Sequence, residues 1–494
     1  LAALDVTRGY DGAMTGRRGA SFKGRNESAN VAIGAALPRL RDRSSDLVRN
    51  TWIGARAIDV LTAHVVGTGI NVVFKSKRAQ ELWKEFVRRS DIEGVSDFNG
   101  QLNTAVRTMF ERGDSIIRFV PRRLDSGRRV PLALQVLEGD FIDEARDGIF
   151  EQRKSRLGVA LGDWGERIGY YLHSEHPGEM GFVAPRRSNF IDRRDVCHIY
   201  RPLRAGQVRG VPLLAPVLMA ARDYSDLLDA MIVKSRMEAC YGLLVTSNNA
   251  AQNLAAVATT DEKGRKVEEM SPGMVARFAP GEQVTAMQPS GSGNFEAVSL
   301  SALMGVASGG MLTYDQLTGD LRQANYSSLR AGKIEFRRLV EQLQWLVVVP
   351  QIMDRVVDRF VETCIMAGEL RELKNGYSRE YIMPAVEPID PLKDLKADIL
   401  AVRSGRMSPQ EFISAWGRDW REVLAETEEF WREADAAGLS LDIDVRKVSQ
   451  TGGAQGTPQA APAADKSDDD TGDDDADADD KSDKKERTMT RAMP

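Results

Sequence analysis

The residues of this chain best suited to chemistry are few. His173 and His176 stand at H-x-x-H spacing, and Cys197 and His198 follow further on. Imidazole and thiolate are zinc ligands, but a zinc site needs a third and fourth donor at workable spacing, and none is evident here. His173, His176 and Asp195 could instead form a split active site, with distant acids and bases converging on folding. No G-x-S-x-G elbow anchors a serine nucleophile. No G-x-x-x-x-G-K-[ST] cradle is present either, since GVASGGM has glycines with no lysine after them. The carboxylate pairs Asp140/Asp143 and Glu428/Glu429 are single instances among 72 acids, and solvated faces account for such pairs. The expectation is a chain with no catalytic residue, no metal and no cofactor.

Charge points the same way. The formal charge of -5 is dominated by one segment: Asp465 to Pro494 carries twelve acids and six bases, which leaves 61 bases against 60 acids elsewhere. A near-neutral body lacks the basic excess of a tight nucleic-acid binder. Cys197, Cys240 and Cys364 are an odd, widely spaced trio, neither a disulfide framework nor a zinc site, and suit assembly inside a cell. The longest apolar run, around Val211 to Ala221, is broken by two prolines and is too short to span a bilayer.

The elements that must position these residues read as α+β. Residues 1 to 50 are basic, nine Arg/Lys against five acids, and their Gly/Arg-rich start suggests a flexible arm. ALPRLRDRSSDLVRN turns helical, with Pro38 suited to a first turn. Trp52 to Val66 reads as a helix with Ile58, Leu61 and Val65 on one side, stopped by GTG. Further amphipathic helices are expected at Ala79–Arg89 and Phe98–Arg112. SIIRFVPRR, PLALQVLE, GERIGYYLH and DVCHIYRP are strand-like runs bounded by Gly, Pro and Asp. RGVPLLAP, from Arg209, either forms a binding turn or simply positions the helix expected over Ala221–Ala239. From Tyr241 to Val298 a small strand-rich insert, with the mixed-charge run EKGRKVEE, separates that helix from a second over Phe295–Met311.

The most distinctive stretch is LTGDLRQANYSSLRAGKIEFRR, Leu317 to Arg338. Asn325 or Ser327 can cap a long helix behind it, in which Phe336, Val340, Leu343 and Val347 share a face. Pro350 should kink that helix, which is expected to run to about residue 372. YIMPAVEPIDPLKD is extended, and helices follow at Lys393–Ser404, Ser408–Trp416 and Asp419–Ala437. Beyond Ser449 the acidic run TGGAQGTPQAAPAADKSDDDTGDDDADADD cannot bury enough apolar surface to fold.

Five pieces together carry a resemblance. They are ALPRLRDRSSDLVRN with ARAIDVLTAHVVGTGI; VPLALQVLEGDFID; CHIYRPLRAGQVRGVPLLAPVL; LTYDQLTGDLRQANYSSLRAGKIEFRR; and PIDPLKDLKADILAVRSG. In register over roughly residues 30 to 440, they resemble the portal proteins of tailed bacteriophages, lambda type. The resemblance implies a dodecameric ring at one capsid vertex, a virion component assembled in the host cytoplasm, through which double-stranded DNA is packaged and ejected. Its partners would be the terminase large subunit, major capsid and scaffold proteins and head–tail connector proteins, with no membrane. Carried onto this chain it implies a basic arm (1–39), a wing (40–215) and a first stem helix (216–240). A clip (241–295), a second stem helix (296–312) and a channel loop (313–325) would follow. A long kinked helix with its connection (326–392), a helical crown (393–448) and the acidic tail (449–494) complete the chain. Asp320, Arg322, Gln323 and Asn325 would face DNA from the loop, and Lys263, Arg265 and Lys266 would face the terminase from the clip. Asn325 and Ser327 would cap the long helix, and Arg330, Lys333 and Arg337 would pair with a neighbouring subunit. Another head–tail adaptor is the main alternative, though adaptors are usually far shorter.

Overall fold

The computed structural model describes residues 26–123, 127–179, 187–240, 295–322, 325–386 and 388–439, with Gly24, four strand segments between 244 and 285, and Leu441, Ile443, Asp444 and Arg446. The chain divides into two units, Leu1–Val423 and Leu424–Pro494.

Helix α1 (Ala29–Asn50) opens the described fold, with the Ser28 hydroxyl accepting the Val31 N–H at 3.3 Å. It begins well before the expected start, so Pro38 lies inside it rather than in its first turn. The ring removes one backbone bond, and burial of Leu37, Leu47 and Val48 offsets that loss. Helix α2 (Trp52–Val66) is capped by Thr51 and ends at Gly67, whose φ of 54° lets its N–H reach Ala63 O at 2.9 Å. Strand β1 (Asn71–Phe74), helix α3 (Lys77–Arg88) and helix α4 (Phe98–Arg112) follow, with Ser76 and Asp97 capping the two helices.

Two antiparallel sheets come next. Strands β2 (Asp114–Pro121) and β3 (Leu132–Glu138) pair as neighbours. Strands β4 (Gly148–Phe150), β5 (Arg153–Arg156), β6 (Val159–Leu161), β7 (Arg167–His173) and β8 (Ser188–Asp192) form a five-stranded meander. Strand β9 (Val196–Tyr200) then returns to β2, giving the order β3-β2-β9. The meander has its own small core of Ile142, Leu157, Val159, Tyr170 and Leu172.

Helix α5 (Leu218–Cys240) leads to strands β10 (Leu244–Ser247), β11 (Thr259–Thr260), β12 (Lys266–Val267) and β13 (Glu282–Thr285). Strand β10 pairs with β13 and β11 with β12, both antiparallel. Helix α6 (Phe295–Gly309) packs back on α5, and a short helix α7 (Tyr314–Thr318) interrupts what the sequence presents as loop. Helix α8 (Tyr326–Leu343) passes into a π-helical segment, Gln344–Met353, and then into α9 (Asp354–Met366). Pro350 lies within the π segment. A proline cannot donate its i→i−4 bond and crowds that carbonyl; the wider π turn accommodates it inside the helix. The helix stops at Met366, short of the expected residue 372, and Gly368 carries the chain out with a φ of 78°.

Strand β14 (Arg379–Ile382) pairs antiparallel with β1, and helices α10 (Pro391–Arg403), α11 (Pro409–Ser414) and α12 (Trp420–Ala436) end the first unit and enter the second. The main core joins Ile53, Ile58 and Leu61 of α2, Trp83 of α3, Phe110 of α4, Ile117 of β2 and Phe360 of α9. In the second unit Arg446 bonds Asp435 and Asp444 and lies 4.8 Å over the Trp431 ring. No described helix is long and apolar enough to cross a membrane.

Candidate functional site

The loop between α7 and α8 is tightly self-bonded. Gly319 takes a left-handed φ of 71°, which reverses the chain directly after α7. The Thr318 hydroxyl donates to Tyr314 O at 2.8 Å and accepts the Asp320 N–H at 3.1 Å. The Asp320 carboxylate then receives Arg322 in a fork, Nε to Oδ1 at 2.9 Å and Nη2 to Oδ2 at 2.8 Å, and the Tyr314 hydroxyl at 3.2 Å. The Arg322 guanidinium and its backbone N–H hold the Asp320 carboxyl far below the usual range. The expected polar loop therefore carries a forked Asp320–Arg322 ion pair in the turn after a short helix, with Asp315 as a further acid on that helix. At its far end Asn325 Oδ1 accepts the Ser328 N–H at 2.8 Å while Ser328 Oγ accepts the Asn325 N–H at 3.2 Å. This is a reciprocal cap; Asn325, not Ser327, makes it, and Ser327 is exposed.

Of the cations expected at a neighbouring subunit, Arg330 lies 3.6 Å from Asp394 of the same chain, Lys333 is exposed and Arg337 half-buried. Gln323, Lys263 and Arg265 lie outside the described residues, and Lys266 starts β12. A cavity of about 640 Å³ lies beside the loop, between α5, α6, α7 and α8, with Tyr224, Leu303, Asp320 and Gly332 on its walls.

Among the described residues, His173, His176 and Asp195 each meet a different partner. His176 Nε2 meets Glu138 at 3.2 Å, whereas His173 faces Asp143 at 3.8 Å. Glu138, Asp140 and His176 come close enough for a cation. Arg112 already holds that position, 3.2 Å from Glu138 and 2.9 Å from Asp140. Asp195 pairs with Arg359 at 2.8 Å. Burial pushes the Cys197 thiol up to about 12, so it offers no thiolate at neutral pH.

His198 belongs to a buried charge network for which sequence reasoning gave no signal. Asp114, the first residue of β2, is fully buried. Its Oδ2 accepts Arg209 Nε at 2.6 Å and lies 3.2 Å from His198 Nε2, while Oδ1 accepts Arg41 Nη2 at 3.0 Å. Arg209 also donates to the carbonyls of Gly139 at 2.7 Å and Leu157 at 3.1 Å. One guanidinium thus ties β2, the turn after β3 and the β5–β6 hairpin to the segment leading into α5. Arg209, at the head of RGVPLLAP, is a structural clamp that fixes the segment before α5. Gly210 is required beside it, because a Cβ there would lie 1.8 Å from Gly113 O. Gly210→Ala is expected to cost about 2 kcal/mol or more through overpacking against backbone, seen as a lower urea midpoint.

Burial and the nearby Arg167 charge pull His198 down to about 4, so it is neutral. Its Nδ1 accepts from Arg167 at 2.8 Å and its Nε2 proton goes to Asp114. Burial alone would raise the Asp114 carboxyl, but Arg209 and Arg41 outweigh it and hold it well below its usual value. Both groups make the fold acid-labile. Between pH 6.5 and 4 the unfolded chain takes a proton at His198 that the folded chain refuses, which removes about 3 kcal/mol of stability. Asp114 extends the loss below that window. Urea titrations at pH 7 and 4.5 should show the fall in wild type and a flatter profile in His198→Gln.

Comparison with known proteins gives the class. The family model described as phage portal protein, lambda family, matches residues 15–344. The chain belongs to that family. Portal protein B of Escherichia phage lambda is 22% identical over 497 residues, covering 89% of this chain and 92% of its own. The portal protein of Escherichia phage N15 is 22% identical over 493 residues, covering 87% and 91%. Among solved structures, the neck of a native gene transfer agent particle, computed with C12 symmetry, aligns at 16% identity and a TM-score of 0.44 over 76% of this chain and 93% of that one. An HK97-family phage portal protein from Corynebacterium diphtheriae aligns at 13% identity and a TM-score of 0.33, over 72% and 96%.

Proposed function

We propose that this chain assembles into a closed homo-oligomeric ring, of twelve copies, at a capsid vertex of a virion, and that double-stranded DNA enters and leaves through its bore. The observation that carries the proposal is the family match over residues 15–344. The protein would do no chemistry of its own. The terminase large subunit would supply the work of packaging and dock on the clip, residues 241–295, with Lys263, Arg265 and Lys266 facing it. Head–tail connector, capsid and scaffold proteins would bind the outer faces, and Arg330, Lys333 and Arg337 would lie toward the next subunit.

The paired loop supports a bore that does not grip. Duplex DNA carries a charge every ~1.7 Å, and free guanidiniums in the wall would hold it through counterion release. Asp320 cancels the Arg322 charge within each copy, so a belt of such pairs meets DNA with mixed, near-neutral polarity. Electron microscopy of the purified full chain, viewed down the symmetry axis, tests the reading. Rings with a central opening are expected; particles that stay monomeric under every assembly condition would defeat it.

A further inference from the structure

A second cavity, of about 410 Å³, opens between β7, β9 and the π-helical segment. Three guanidiniums line it, those of Arg167, Arg193 and Arg355, against the single carboxylate of Glu166. Each arginine is committed to neutral groups or faces solvent. Arg167 donates to His198 Nδ1 at 2.8 Å and to the Tyr200 hydroxyl, and lies 4.6 Å over the Tyr200 ring. Arg355 donates to the carbonyls of Arg193 and Val196 and so pins the turn that carries the exposed Arg193. Of the nearby acids, Asp195 is paired with Arg359 at 2.8 Å and Asp114 with Arg41 and Arg209, while Asp192 accepts the Arg194 N–H and stands outside the lining.

Half-buried guanidiniums such as Arg167 and Arg355, with no ion pair to an acid among the described residues, are costly, and the forked N–H groups of arginine match the oxygens of a phosphate in both charge and shape. Three arginines and one glutamate leave the lining with two uncompensated positive charges, which a phosphate dianion would cancel. Two of the three cations are held in place before any ligand arrives, and this preorganisation lowers the cost of binding. We propose that this groove binds a phosphate oxyanion through Arg167, Arg193 and Arg355, its source being either free orthophosphate or a backbone phosphodiester. The site stands on the protomer's geometry and does not depend on the ring.

The test uses the full chain at constant ionic strength, with thermal unfolding and calorimetric titration against orthophosphate, against acetate as control, and against a short DNA duplex. Orthophosphate should raise the wild-type midpoint saturably and acetate should not. Arg193→Gln removes an exposed side chain and should fold normally while weakening phosphate binding roughly tenfold, the worth of one charge-assisted contact. Arg193→Gln with Arg355→Gln should abolish it, and Glu166→Gln should tighten it. Orthophosphate binding that needs the arginines, with duplex binding indifferent to them, identifies free phosphate as the ligand. Duplex binding weakened by the same changes and competed by orthophosphate identifies the phosphodiester. An orthophosphate response equal in wild type and Arg193→Gln, equal to acetate, or absent together with any arginine-dependent duplex binding overturns the proposal. Ring formation is scored separately, so failure of this site leaves the reading of the assembly untouched.

Discussion

Asp114→Ala should destabilise the chain by about 3–5 kcal/mol, the usual cost of breaking a buried ion pair from one side. Whole domains are stable by only about 5–15 kcal/mol, so much of the variant should be lost to aggregation. The cost arises because Arg41 and Arg209 remain buried, at 2% and 0% exposure, with their main counter-charge gone. Arg209 would keep its two carbonyl acceptors, but its Nε would lose the 2.6 Å contact that orients the fork. Asp114→Asn retains one carbonyl oxygen and should fall between the two. The loop pair offers a control: Asp320→Asn should leave the urea midpoint almost unmoved, because ion pairs at the surface contribute little. Urea midpoints of the three variants decide the matter. An Asp114→Ala midpoint equal to that of Asp320→Asn would show that the network does not hold the β2 junction.

What was legible in the sequence was what folds locally. Ile58, Leu61 and Val65 were placed on one side of α2 by their spacing, and all three are fully buried. Phe336, Val340, Leu343 and Val347 were read the same way across the join between α8 and the π segment, and each is buried. The GTG stop and the Asn325 cap were legible because glycine and asparagine are chosen there for backbone geometry that no distant residue alters. The Asp114–Arg209 pair was not, since its partners stand 95 residues apart and nothing in a one-dimensional pattern marks a buried charge. Charge preceding an apolar run, as in GDSIIRFV, is the one hint available. Strands β4 and β5 were missed because GIF and RKSR lack apolar alternation; they are held by pairing in the meander instead. Pro350 marks a break in the helical pattern, and in the structure it sits within ten residues of π-helix, a form that no local pattern specifies. The loop reads as polar, and the ion pair that offsets its one arginine depends on the turn at Gly319, which brings residues two apart into a fork.

Asp320→Asn therefore isolates function from stability. It removes one negative charge from the loop of each copy and leaves the Arg322 guanidinium, already 81% exposed, without its forked partner. In the proposed ring every copy exposes an unpaired guanidinium at the same height, so the bore acquires a belt of free cations, with Asp315 on α7 the remaining acid of the loop. If four of these reach phosphates, the dependence of log affinity on log salt should steepen by about 3.6, equivalent to on the order of 100-fold in affinity between 50 and 200 mM salt. Such rings should retain a threaded duplex at low salt where wild-type rings release it, and packaging in a reconstituted reaction should slow most at low salt and recover as salt rises. Asp320→Asn with Arg322→Gln restores the wild-type charge of the loop and should return both behaviours to wild type. Recovery in the double variant separates charge from shape, because the turn at Gly319 is common to both. A single variant whose duplex release follows the wild-type salt curve would mean that Arg322 does not meet the DNA, and that its pairing with Asp320 serves the protomer alone.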